Sequence, residues 1–440
     1  MPPHLKIAVI GSGPSGFYAA EHLLKNKDIT VQVDIFDKEP TPFGLVRTGI
    51  APDHLKIKQI VRNFEKIANS PNLRFFGNVE LGKDILMDEL RQMYHSVILA
   101  TGAHQSRPLG IPNEEKVCQS LRVIRSWNDI ESVNPIKCIL NSEEIVLIGN
   151  GNVSLDVARI LLKSREELRS SELSEKVLDV LDSYHVKKIK IIARRGPVQA
   201  ACSNKELQEL VELHDVSVYV NPNDLVFDQA DQELIEADTS LQRKVDLFKS
   251  YSESREVKEK QIEFHFCLTP KSLQLDDNGR ITGLVCIKNT KEGSSFIPSN
   301  DTVEISCNSV VNCSGFVSQE IPGIPFDNRT KRFPSADGKI IGLDGLYVTG
   351  WSKKTTGVVV KCKSCAKETV NTMLNDLPNL PKPSNVDVDV ESLLLQRSVS
   401  FVTFDQWRVI DKIETDLGKA VGKPRVKMSR DEVLAKLSEL

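Results

Sequence analysis

Apolar positions at the start of the chain fall in short dense runs, each closed by glycine or by a charged residue. Lys6–Ile10 is too short for a helix and reads as a buried strand. Gly11-Ser-Gly-Pro-Ser-Gly16 breaks it, and apolar residues then recur at helical spacing to about Leu24. A second strand, Val31–Phe36, ends at Asp37. Together these make a strand–helix–strand opening. Proline and glycine crowd residues 40–52, which predicts a loop, and a helix is expected over Ile57–Ala68. Ser96–Ala100 is another strand, running into Thr101-Gly-Ala103.

The pattern then restarts. Glu144–Ile148 predicts a strand, Gly149-Asn-Gly-Asn-Val-Ser154 a turn, and Asp156–Leu162 a helix. Residues 163–186 are charged and helical, and Lys188–Ile192 is the next strand, ending at Ala193-Arg-Arg-Gly-Pro197. Gly11 and Gly149 stand 138 positions apart, so the chain carries two strand–glycine–helix units. Residues 222–260 read as charged helix, and 262–312 alternate apolar and polar around a hairpin signal, Asp276-Asp-Asn-Gly279. Val310-Val-Asn-Cys-Ser-Gly315 mirrors Leu99-Ala-Thr-Gly102, and Leu346–Trp351 is a further strand that meets a glycine. Residues 379–384 read as a Pro-rich linker, and the tail from Met428 as an amphipathic helix.

Composition narrows this picture. At 440 residues, two or three domains are expected. With 40% apolar and 27% charged residues, disordered and collagen-like chains are excluded. The net charge of −3 gives no bulk reason to expect nucleic acid as a partner, and no apolar run is long enough to cross a membrane. The nine cysteines are odd in number and scattered, with only Cys362 and Cys365 close in sequence. That predicts free thiols rather than a secreted disulfide framework. Met1-Pro-Pro-His-Leu-Lys6 shows no apolar signal and no Arg-rich presequence, so either none is needed or it has been removed.

The glycine turns carry the candidate chemistry. In Gly11-x-Gly13-x-x-Gly16 the first glycine permits the tight turn and the second admits a pyrophosphate. The third lets helix pack on strand, and the helix start supplies N–H donors. Asp37, at the end of the next strand, is placed for ribose hydroxyls. Gly149-x-Gly151-x-x-Ser154 repeats the device, but its following strand ends in Arg194-Arg195. An acid favours a free 2′-hydroxyl, whereas guanidinium groups favour a 2′-phosphate. One acid-ended and one arginine-ended unit therefore predict a flavin together with NADP(H).

Three further segments sharpen this: Pro42-Phe-Gly-Leu-Val-Arg-Thr-Gly-Ile-Ala-Pro-Asp-His54, Gly149-Asn-Gly-Asn-Val-Ser-Leu-Asp-Val-Ala-Arg159 and Arg194-Arg-Gly-Pro197. With Asn78-Val-Glu80, Lys205-Glu-Leu207, Gly350-Trp351 and Gly422-Lys-Pro-Arg425, the chain resembles, over essentially its whole length, mitochondrial-type ferredoxin–NADP+ reductases, the adrenodoxin reductase family. The resemblance implies an α/β fold of two Rossmann-like nucleotide-binding domains of the glutathione-reductase type. An NADP domain, 105–315, would be inserted into an FAD domain formed by 1–104 and 316–440. It implies FAD contacts at Gly11, Gly13, Ser15, Gly16, Asp37, Leu45, Leu81, Trp351, Gly357, Val358 and Val359. NADP contacts would fall at Asn150, Gly151, Asn152, Val153, Arg194, Arg195, Glu206 and Gly357. The activity implied is electron transfer from NADPH through FAD to a small acidic [2Fe–2S] ferredoxin. That would support iron–sulfur cluster assembly or cytochrome P-450 chemistry. A monomer in the mitochondrial matrix or a mitochondrion-derived organelle would follow, with peripheral membrane association left open.

The chain departs from the family in two places. The ribose acid is usually Glu where Asp37 stands, with Glu39 as a competitor. The family loop Lys-Arg-Gly-Pro-Thr-Gly is here the shorter Lys353-Lys-Thr-Thr-Gly357. His54, beside Asp53, and Asp156 are candidates for a proton relay near the flavin. Lys205, Arg243 and Lys244 are candidates for docking the acidic partner, and no metal site is expected. Two other functions compete: a dithiol reductase using Cys362 and Cys365, and a non-catalytic NADP-sensing flavoprotein module. A glutamate-synthase small subunit shares the plan of two nucleotide units. It would need cysteine clusters before the first unit, and residues 1–10 have none.

Overall fold

The computed structural model describes residues 4–130, 134–140, 142–184, 186–254, 257–354 and 359–439. The chain forms two compact units, one of residues 1–105 and 316–440, the other of residues 106–315.

The first unit is built on a seven-stranded sheet. Its order is Ser335–Ala336, Lys339–Ile340, Leu346–Val348, Ser96–Leu99, His4–Ile10, Thr30–Asp37, Leu73–Gly77. The last five strands pair in parallel. The two short strands at the far edge run antiparallel. Both faces are covered, as a parallel sheet requires. Along the first strand Ile7 and Val9 enter one apolar cluster while Ala8 and Ile10 enter another. That period of two explains why the strand reads as an unbroken apolar run.

Helix Pro14–Leu24 starts from Gly13, with proline at its first position, where a missing N–H costs nothing. It packs against helix Val359–Asn375 through Phe17, Tyr18, Ala366 and Val370. Within the segment read as loop, residues 40–52, Leu45–Thr48 forms one helical turn. The helix expected over Ile57–Ala68 is broken into Leu55–Lys58 and Val61–Ala68.

The second unit holds a six-stranded parallel sheet in the order Cys118–Gln119, Ser309–Asn312, Glu144–Ile148, Lys188–Ile192, Lys260–His265, Val216–Val220. Ile145 and Leu147 face one core, Val146 and Ile148 the other. Its glycine-turn helix begins at Asn152, four residues before the expected start at Asp156, because Gly151 is the cap. The charged stretch 163–186 is two short helices, Arg165–Leu168 and Glu175–Asp182. Each is capped by a serine that accepts a backbone N–H. An antiparallel sheet of Leu268–Leu275, Ile281–Glu292 and Ser295–Ser306 completes the unit, with the Asp276–Gly279 turn joining its first two strands.

Candidate functional site

Each unit builds the same backbone device. Gly11 has φ +108° and donates its N–H to Phe36 O at 2.7 Å. Gly149 has φ +111° and donates to Ile192 O at 2.8 Å. A Cβ on Gly11 would lie 2.4 Å from Ala100 O, and one on Gly149 2.6 Å from Cys313 O. Thus Leu99–Gly102 and Val310–Gly315 play one role: each brings the end of another strand against the glycine turn. No side chain fits there.

The two devices differ at the third position. A Cβ on Gly16 would meet Gly11 O at 2.0 Å, so helix lies hard on strand. Ser154 stands in the matching place and donates its hydroxyl to Gly149 O. The middle glycines, Gly13 and Gly151, have open space where a Cβ would be. That is the clearance a pyrophosphate needs beside the first N–H groups of each helix.

Over the first turn lies the segment Pro42–Thr48. Phe43 has φ +82°, an outlier for a bulky residue, and donates its N–H to Ser12 O at 3.0 Å. Its ring is held by Phe17, Phe404 and Trp407 at centroid distances of 5.5–6.3 Å. The strain sets Gly44 against Gly13: a Cβ on Gly44 would lie 2.9 Å from Gly13 Cα. Sequence reading missed this role of Phe43, since only the fold shows its backbone angle.

Arg47, in the next turn, makes paired bonds of 2.6 and 2.8 Å to Glu414. Its guanidinium lies 4.9 Å from the centre of the Trp407 ring. Glu414 is fully buried and also accepts Met428 N–H at 2.9 Å. Burial alone would raise its carboxyl; the Arg47 charge and these hydrogen bonds hold it below the ordinary carboxylate range.

Asp37 accepts Ser12 N–H and hydroxyl on one oxygen, at 2.8 and 2.6 Å, and Glu39 N–H on the other at 2.9 Å. The acid that ends the strand is thereby fixed to the glycine turn. It retains some solvent contact, yet desolvation raises its carboxyl above the usual value. Leu45 and Leu81 are half-buried. Ser15 is buried beneath Gly350, where a Cβ would strike its Oγ. Trp351 stacks on Phe316 at 6.3 Å. Val359 opens the Val359–Asn375 helix, while Gly357 and Val358 lie outside the described residues.

Cys362 and Cys365 sit one turn apart on that helix. Cys365 Sγ accepts Gly350 N–H at 3.3 Å, and Cys362 is buried beside Ser15, with burial pushing its thiol up. Both are free thiols, Cys362 buried and Cys365 half-buried, and neither is the exposed thiol that a dithiol catalyst presents. His54 stands at the N-cap position of the short Leu55–Lys58 helix, where its side chain makes no capping bond.

In the second unit Asn150 Oδ1 accepts Ala201 N–H at 3.4 Å and Asn152 Oδ1 accepts Ser203 N–H at 2.8 Å. Val153 follows in the first helical turn. Arg194 and Arg195 are exposed at the strand end, and neither guanidinium has a partner among the described residues. Glu206 is buried and bonded to Ser203 Oγ. Asp156 pairs with Arg159 at 2.7 Å. Of the candidate docking cations, Arg243 and Lys205 are exposed, Lys205 beside Glu209 at 3.1 Å. Lys244 instead donates to Ala200 O at 2.7 Å. No cluster that could hold a metal ion occurs among the described residues.

Residues 5–328 match the pyridine nucleotide-disulphide oxidoreductase family model. The chain belongs to that family. Within it, this reductase is 33% identical to human mitochondrial NADPH:adrenodoxin oxidoreductase over 98% of its own length and 91% of the human protein. It is 35% identical to the NADPH-ferredoxin reductase FprA of Mycobacterium tuberculosis over 99% of its length and 98% of that protein. A solved structure of FprA in complex with NADPH superposes with a TM-score of 0.91 at 33% identity, covering 99% of each chain. The fold is that of a two-domain oxidoreductase of this family, and the relatives come from both mitochondria and bacteria.

Proposed function

We propose that the chain carries electrons from NADPH, through bound FAD, to a small [2Fe–2S] ferredoxin. The observation that carries this is the pair of glycine turns with opposite strand ends, acid at Asp37 and exposed arginine at Arg194-Arg195, in a chain whose full-length relatives are NADPH-dependent ferredoxin and adrenodoxin reductases. FAD, when bound, takes both electrons of a hydride and passes them on singly, as a one-electron iron–sulfur acceptor requires.

In this reading, 1–104 with 316–440 is the FAD domain and 105–315 the NADP domain. Gly11, Gly13, Gly16 and the start of helix Pro14–Leu24 hold the flavin pyrophosphate, and Asp37 its ribose. Ser15, Leu45, Leu81, Trp351, Gly357, Val358 and Val359 complete that site. The open face at Gly151 with Asn150, Asn152 and Val153 takes the second pyrophosphate. Arg194 and Arg195 take the 2′-phosphate, and Glu206 is a further contact of that nucleotide; Gly357, the other expected contact, lies outside the described residues. His54 and Asp156 are the proton-handling candidates, Asp156 being paired with Arg159. The partner is an acidic ferredoxin docking at Arg243 and Lys205, with Lys244 steadying the loop at Ala200. The protein is a monomer of the mitochondrial matrix or a mitochondrion-derived organelle.

The test is a single cuvette. NADPH should bleach the flavin absorbance, and adding a [2Fe–2S] ferredoxin should then sustain reduction of cytochrome c. A flavin that NADPH leaves oxidised, or one bleached with no transfer to any ferredoxin, would refute the proposal.

A further inference from the structure

The antiparallel sheet of the second unit holds the arginine pair from behind. Cys267 has φ +56° and donates its N–H to Arg195 O at 3.3 Å, while its own carbonyl accepts Asn289 N–H at 2.7 Å. Asn289 lies at the irregular point of the Ile281–Glu292/Ser295–Ser306 hairpin, where the register shifts between Ile287 and Asn289. Such a shift re-aims a side chain. Here it turns the Asn289 amide onto Arg194 O at 2.7 Å and Thr269 Oγ1 at 2.8 Å. The hairpin tip adds a second hold. The Phe296 ring lies 3.7 Å from where a Gly196 Cβ would be. Lys291 bonds Asp228 and Asp231 at 2.8 and 2.7 Å, and Asp231 accepts the Gln199 amide at 3.1 Å. Backbone at 194 and 195 is therefore gripped, with the Phe296 ring beside Gly196, while both guanidinium groups stay exposed.

We propose that this hairpin is a positioning element for NADP specificity, and that Asn289 is its central residue. It does not touch the nucleotide. It fixes the carbonyl of Arg194, and with it the direction from which the two side chains meet a 2′-phosphate. The inference rests on the NADP assignment above. An exposed arginine has many rotamers, and ordering its backbone lowers the cost of fixing them on binding.

The experiment compares Asn289→Leu, which keeps the volume and loses the hydrogen bonds, with the wild-type holoenzyme, using ferricyanide as acceptor. Loss of one such bond should raise KM for NADPH about three- to tenfold. The kcat, NADH turnover and flavin spectrum should stay unchanged. In an Arg194→Ala/Arg195→Ala background the same change should have no effect, because there is no guanidinium left to position. Equal losses with both nucleotides, or a penalty that persists in that background, would overturn the proposal. Phe296→Ala, at the exposed tip, should raise KM for NADPH in the same selective way if Asn289→Leu fails to fold, and no selective change there would count against it. The underlying NADP assignment fails separately, if wild-type enzyme shows no preference for NADPH.

Discussion

Glu414→Gln removes one charge from a site with no solvent and almost no change in shape. In the wild-type protein this carboxylate accepts two bonds from Arg47, one from Arg425 at 3.2 Å and one from Met428 N–H. The Arg47 side chain is 4% exposed and that of Glu414 0%, so the variant strands a guanidinium in the core. Breaking a buried pair from one side costs about 3–5 kcal/mol. For a domain of this size that is a fall in Tm of about 10 °C.

The sign of the pH dependence follows from the depressed Glu414 carboxyl. Its stabilisation is fully present above the unfolded value of about 4.3 and is lost as pH falls through the lower folded value. Glutamine has no proton to gain there. The gap between wild type and variant should therefore be wide at pH 7 and shrink below about pH 4. Flavin fluorescence during a thermal ramp reports it, because release of the segment over Gly13 frees the cofactor. A Tm within about 2 °C of wild type, or a gap that stays constant down to pH 3.5, would refute the reasoning.

Arg194→Ala/Arg195→Ala should lower kcat/KM for NADPH about 100-fold, from two exposed charge-assisted contacts of about 1.5 kcal/mol each. NADH turnover should hardly change; parallel losses would mark the pair as structural. Gly16→Ala should yield protein with little or no flavin, since its Cβ would meet Gly11 O at 2.0 Å; a normal flavin-to-protein absorbance ratio would contradict the packing described. Arg243→Glu should weaken ferredoxin-dependent cytochrome c reduction most at low ionic strength, where the Debye length is long, and spare ferricyanide reduction. Unchanged ferredoxin affinity at low salt would exclude Arg243 from the docking face.

The glycine turns were legible because each combines a local apolar run, a positive-φ position and a charged strand end within a few dozen residues. The helix Phe404–Ala420 was not anticipated, although Thr403-x-x-Gln406 forms a capping box that marks its start. Its apolar face is interrupted by Glu414, which reads as surface until Arg47 is found opposite it. The break between Leu55–Lys58 and Val61–Ala68 likewise carries no proline or glycine to announce it. Phe43 and Asn289 belong to a third kind: each acts through a backbone irregularity that long-range packing creates, and composition does not encode that.

The segment over the first glycine turn has a consequence for biosynthesis. It is secured by Phe404, Trp407 and Glu414, and Trp407 is translated 360 residues after Arg47. The glycine turn, its helix and its acid emerge from the ribosome early, together with Ser12 and Phe17 that touch the Phe43 segment, but the Phe404, Trp407 and Glu414 contacts that secure it come only with the far helix. Flavin capture should thus be a late event in the life of the nascent chain. A stalled complex ending near residue 400 should leave added FAD fluorescent. One extended past Met428, and clear of the exit tunnel, should quench it; equal quenching by both would show that the early segment closes unaided.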